Sequence, residues 1–152
     1  MGADLYALCE KGKRYLELLD KFSELGISSD EFIRIFKELV MLEEDMHRNY
    51  EYFRDPYNKF NLLWLLGLDW EWFGQFINED CYVSPENCKK ILEEVKRRGP
   101  ITKEKIITYF VKKRKEEIVS IDELYEYFKE KYYQFIKFLE KCIKCRGMYA
   151  FI

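Results

Sequence analysis

Histidine is almost missing from this chain: His47 is alone, and two glutamines, two threonines and three prolines complete the scarce set. No glycine-rich phosphate loop and no Ser/His/Asp set accompanies it, so acid–base and nucleophilic catalysis lack their usual parts. Glu44 and His47 have the Glu-x-x-His spacing of helical di-iron sites, but those sites need a second copy, which a one-histidine chain does not hold. The residues therefore predict a non-enzyme without cofactor or metal. Long apolar runs are absent too. The longest, Leu62 to Leu68, is broken by Asp69 and Glu71 and falls well short of the ~20 residues a membrane helix needs. The opening MGADLYALCEKGKRYL has no charged region followed by an apolar one, and Tyr6 stands where myristoylation wants Ser or Thr. A cytoplasmic protein with no membrane partner is the expectation.

The 152 residues are 48% hydrophobic and 36% charged, enough for one core and a solvated surface, and disorder is excluded. Twelve Phe, twelve Tyr and three Trp supply much of the apolar area. Lys and Glu fill the polar positions that Gln and Thr leave, the substitution pattern of heat-adapted proteins.

Punctuation predicts an all-α bundle of six or seven helices, with no internal repeat or low-complexity tract. Leu5, Leu8, Tyr15, Leu16, Leu19, Phe22 and Leu25 recur at helical spacing up to Gly26. Ser28-Ser29-Asp30-Glu31 is a capping box, opening a stripe of Phe32, Phe36, Leu39, Val40, Met46, Tyr50 and Phe53 that ends at Asp55-Pro56. These two helices should form an antiparallel hairpin. Gly67 and Gly74 divide the next stretch into two short helices, with Asp69 capping the second. Ser84-Pro85 starts a helix through Ile91, Leu92 and Val95 to Gly99-Pro100. Thr102 opens another, with Ile106, Ile107, Phe110 and Val111 inward. A second capping box, Ser120 to Glu123, begins a long helix reaching Gly147, and Met148–Ile152 is a candidate terminal strand.

Charge divides the chain in two. Residues 1–80 hold nine Lys/Arg against seventeen Asp/Glu, while residues 81–152 hold seventeen against eleven. The first part is an acidic hairpin with aromatic short helices, the second a basic three-helix region, the two folding as one domain. Between Lys89 and Lys115, eleven basic residues meet three acidic ones. Lys89, Lys90, Arg97, Arg98, Lys103, Lys112, Lys113, Arg114 and Lys115 are the candidate nucleic-acid contacts, because clustered cations release counterions condensed on phosphates. The competing explanation is a solvated face paired with the acidic half.

The run ILEEVKRRGPITKEKIITYF resembles the opening two helices of winged-helix regulators, which implies a second helix lying in the major groove. Lys112 to Val119 is longer than the turn that pattern uses, so a recognition role for the last helix, with Met148–Ile152 as the start of a wing, stays open. The residues thus point to a non-catalytic accessory or regulatory protein of a nucleic-acid system, binding backbone through its basic half. The alternative is a protein-interaction module or inhibitor, of a viral or host-defence type, docking through Trp64, Trp70 and Trp72, although burial is the default for such rings. A homodimer is a further possible partner arrangement. Of the five cysteines, Cys142-x-x-Cys145 with Cys81 and Cys88 has the wrong spacing for a zinc site. Buried inert thiols are favoured, with a disulfide, Cys81–Cys88 or another, as the other option.

Overall fold

The computed structural model describes residues 1–25, 30–117 and 120–152. It is mostly helical, with a four-stranded antiparallel sheet through its middle. The chain runs β1 (Gly2–Ala7), α1 (Glu10–Glu24), α2 (Asp30–Arg48), β2 (Tyr52–Pro56), α3 (Leu62–Leu65) and α4 (Trp70–Gly74). It continues through β3 (Tyr82–Val83), α5 (Pro85–Arg98), α6 (Lys103–Ile107), a π-helical segment (Thr108–Lys113), α7 (Ile121–Lys144) and β4 (Met148–Phe151). Sheet order is β2-β1-β4-β3, so the strands of the acidic and basic parts share one sheet. No helix among the described residues is long and apolar enough to cross a membrane.

β1 corrects the helical placement of Leu5 and Leu8. The spacing that matters in ADLYA is two: Ala3, Leu5 and Ala7 are buried while Asp4 and Tyr6 face the other side. The inner face, with Met148, Ala150 and Val83, packs on Ile91, Val95, Phe135, Phe138 and Leu139 of α5 and α7. Across the opposite face runs a row of tyrosines in register, Tyr52, Tyr6, Tyr149 and Tyr82. Tyr6 and Tyr52 there meet a second core made by Tyr15, Leu18, Ile35, Leu39 and Met46 of the α1/α2 hairpin.

The hairpin itself is as expected, whereas its stripe is wider than the face the sheet covers. Ile35, Leu39 and Met46 go in, and Phe36 and Val40, expected inward, are exposed. Nor does α2 continue through Tyr50 and Phe53. Tyr50 takes the left-handed conformation (φ 58°), a conformation sequence alone would assign to Gly or Asn, and turns the chain into β2. Gly26 and the Ser28-Ser29 start of the capping box lie outside the described residues. The remaining predicted caps are made: Asp69 accepts from the Trp72 N–H, Ser84 from Asn87, Thr102 from Lys105 and Ser120 from Glu123. Met148–Phe151 is a strand, placed between β1 and β3. Gly147 precedes it at φ 88°, where a Cβ would run into the Val83 carbonyl.

The π-helical turn alters which residues of the α6 run go inward. With more than 3.6 residues per turn, Tyr109 and Phe110 are buried beside Ile106, while Ile107 and Val111, expected inward, are exposed.

Cysteine pairing departs from the spacing-based candidates. Cys9, at the N-cap of α1, is bonded to Cys145, at the C-cap of α7, across a sequence separation of 136. Cys81, Cys88 and Cys142 are free. Cys88 and Cys142 lie together in the core, where burial and the neighbouring thiol push the Cys142 thiol well up. Such thiols are poor nucleophiles.

One buried carboxylate organises the middle of the chain. Asp55 is fully enclosed and accepts from the Leu62 N–H at 2.8 Å, the Leu63 N–H at 3.3 Å and the Trp70 indole at 3.1 Å. Asn61 is buried beside it, donating to the Pro56 carbonyl and capping α3. Burial pushes Asp55 up to about 6, against the pull of the three donors and of Lys131.

Two predictions follow from these contacts. Because the folded-state value of Asp55 lies above its ordinary 3.8, its contribution is complete below that value and lost as pH rises through 6. A two-unit shift corresponds to about 3 kcal/mol. Asp55→Asn should therefore destabilise the fold about 2 kcal/mol more at pH 4 than at pH 7, measured by denaturant melts of both proteins at each pH. Equal losses at the two pH values would contradict this ionisation. Separately, Cys9→Ser should lower stability by about 3–5 kcal/mol, since the bridge closes most of the chain into one loop. Adding reductant to wild type should give the same loss, and reductant should leave the variant unchanged.

Candidate nucleic-acid interface

The basic second half is built on three helices packed on one another, with α5 and α6 both lying against α7. In α5, Cys88, Ile91, Leu92 and Val95 form the buried stripe, which leaves Lys89, Lys90 and Lys96 on the outside. After the Gly99-Pro100 break, Thr102 starts α6 and the chain runs on through the π-helical turn to Lys113.

The predicted basic residues separate by side-chain type. Arginines make contacts within the chain. Arg97 pairs with Glu94 through Nε at 2.9 Å and Nη2 at 2.5 Å. Arg98 reaches the same carboxylate at 3.0 Å and donates to the carbonyls of Leu66 and Gly67 at 3.4 and 3.2 Å, tying α5 to the end of α3. The two guanidinium groups hold the Glu94 carboxyl down at about 2. Arg114 pairs with Glu116 at 3.2 Å and lies over the Tyr109 ring. Among the described residues, one predicted lysine is similarly engaged: Lys103 meets Asp122 at 2.8 Å and lies over Tyr125.

Lys89, Lys90, Lys112, Lys113 and Lys115 are exposed and make no ion pair among the described residues. Lys113 also lines a cleft of about 420 Å³ with Thr102, Glu104, Lys105, Thr108 and Tyr109, so it is brought near a second lysine, a carboxylate and three hydroxyls. Lys105, outside the predicted set, donates to the Pro100 carbonyl at 2.5 Å. It is one of the eleven basic residues between Lys89 and Lys115, and that was the signal that could have singled it out.

The tryptophans are divided as well. Trp70 is buried, with its indole on Asp55 and its ring on Phe73. Trp64 stacks with Tyr57, and Trp72 meets Phe76 edge-on, both half-buried against the main core. His47 is exposed near the end of α2 and packs on Tyr52. With Cys145 bonded to Cys9, the Cys142-x-x-Cys145 pair is not a free dithiol. Among the described residues, no three His, Cys, Asp or Glu side chains are grouped to hold a metal ion. The chain matches no protein-family model, no curated protein and no solved structure.

Proposed function

We propose that this is a non-catalytic, cytoplasmic accessory protein of a nucleic-acid system, which grips the phosphate backbone through the lysines of its second half. The observation that carries the reading is the set of exposed lysines, Lys89, Lys90, Lys112, Lys113 and Lys115, which make no ion pair among the described residues, in a region whose arginines are occupied. An ammonium group on a flexible stem suits a point-charge contact to phosphate, whereas base reading favours the planar guanidinium. Binding of this kind is sequence-independent and salt-sensitive. The helix-turn-helix arrangement belongs to the same proposal: α5 and α6 would straddle the backbone, and α6, of five residues, would follow a groove edge for only a short distance. A cysteine bridge inside a cell fits the heat-adapted composition, since disulfides persist in intracellular proteins of hyperthermophiles. The half-buried rings of Trp64 and Trp72 favour the rival, a protein-docking module.

Fluorescence anisotropy on duplex and single-stranded DNA and RNA at two salt concentrations tests the proposal. Each phosphate contact should contribute about −0.9 to the slope of log K against log salt on duplex DNA. Changing Lys89, Lys90, Lys113 and Lys115 together to Glu should remove binding and preserve the fold, because exposed substitutions cost little. Wild-type protein that shows no salt-dependent binding, or a quadruple variant that binds equally well, would sink the proposal.

A further inference from the structure

The disulfide joins two helix ends of opposite polarity. Cys9 is the N-cap of α1, a helix of 15 residues whose first-turn N–H groups present partial positive charge, and its side chain makes no capping bond. Cys145 is the C-cap of α7, a helix of 24 residues whose last carbonyls present partial negative charge. A thiolate released at Cys9 is therefore stabilised by its helix, and one released at Cys145 is opposed by its own.

Both half-cystines are half-buried and line a surface cleft of about 480 Å³. Lys13, Lys144 and Arg146 line it as well, against one carboxylate, Glu10. All four charged side chains are exposed, and none makes an ion pair among the described residues. Three cations around a bridge draw in a negatively charged attacking group, and the attraction weakens with salt. Cys88 and Cys142, fully buried in the core, do not compete for such a reagent.

We propose that Cys9–Cys145 is a thiol–disulfide exchange site for small anionic thiols, with Cys145 as the sulfur attacked and Cys9 as the leaving group. The thiolate of one such molecule attacks Cys145 Sγ. A new S–S bond forms there, the bond to Cys9 breaks, and its electron pair leaves on Cys9 Sγ as a thiolate at the head of α1. A second thiolate attacks the small molecule's sulfur in this mixed disulfide, releasing the oxidised small molecule and the Cys145 thiolate. The bridge gains two electrons, and two small thiols are oxidised to one disulfide. With the oxidised small molecule in excess, the same steps run in reverse.

Reduction of the oxidised protein by anionic glutathione, neutral mercaptoethanol and cationic cysteamine tests the site. Each rate is corrected for the thiolate fraction and divided by that thiol's rate with a small uncharged disulfide, which removes differences in nucleophilicity. At low salt, glutathione should exceed mercaptoethanol by about fivefold or more and cysteamine should fall below it, and about 0.5 M salt should compress the order. Changing Lys13, Lys144 and Arg146 together to Gln should equalise the three thiols and leave the mercaptoethanol rate unchanged. On the reduced protein, alkylation followed peptide by peptide across pH should show Cys9 reacting at least about one pH unit below Cys145, with circular dichroism checking the fold. The reduction rates are read on the oxidised protein, so they decide the anion preference even where the reduced chain loses stability. Equal rates for the three thiols, a preference that the triple variant retains, or a folded reduced chain in which Cys145 titrates at or below Cys9 would each overturn the proposal.

Discussion

The Asp55 carboxylate is the contact on which the centre of the molecule depends. Helices of four and five residues cannot hold themselves in water, because nucleation costs more than so few hydrogen bonds return. α3 exists because Asp55 accepts its first two free N–H groups, and α4 is held by the indole of Trp70 on the same carboxylate. Lys131 of α7 adds a second anchor at this strand, donating to the Arg54 carbonyl at 2.6 Å and lying over the Phe53 ring. A charge buried among aromatics is costly unless its acceptors are filled, and here the donors come from two separate helices, α3 and α4. The carboxylate therefore specifies one arrangement of β2, α3 and α4, to which Lys131 ties α7 through the Arg54 carbonyl.

Helix caps were the most legible feature of the sequence. Ser84, Thr102, Ser120 and Asp69 make short-range hydrogen bonds that depend on residues three positions away, so local order suffices to read them. Strands were legible only where no competing periodicity intervened. Leu5 and Leu8 fit a helical spacing as well as Ala3, Leu5 and Ala7 fit an alternating one, and only the neighbouring β2 and β4 decide between them. Three residues at left-handed φ, Tyr50 after α2, Cys81 before β3 and Lys115 after the π-helical segment, turn the chain without a glycine to announce it. The Cys9–Cys145 bridge was illegible for a different reason, since it depends on both chain ends arriving at the same edge.

At the candidate interface, the positions of the basic residues could be read but not their state. A count of charge treats Arg98 and Lys113 alike. Packing separates them, because a guanidinium can serve Glu94 and two carbonyls at once while the ammonium at the end of the π-helical segment makes no ion pair among the described residues. The asymmetry of the chain is thus partly internal: Glu94 and Glu116 lie within the basic half and pair with Arg97, Arg98 and Arg114. Among the candidate contacts, what remains without an ion pair in the described residues is lysine.

The sheet order also bears on how this molecule reaches its fold. β1 and β4 are neighbours in the middle of the sheet, although one begins at Gly2 and the other ends at Phe151. The α1/α2 hairpin draws on contacts close in sequence and can assemble quickly, but the central pairing must bring together segments separated by almost the whole chain. Search for that contact carries the largest loop-closure entropy in the molecule. Until β4 arrives, the inner edges of β1 and β3 have no strand between them, and the apolar faces of α5 and α7 lack part of their floor. Refolding should accordingly be slow for a protein so rich in helix, with open strand edges exposed to other chains in the interval.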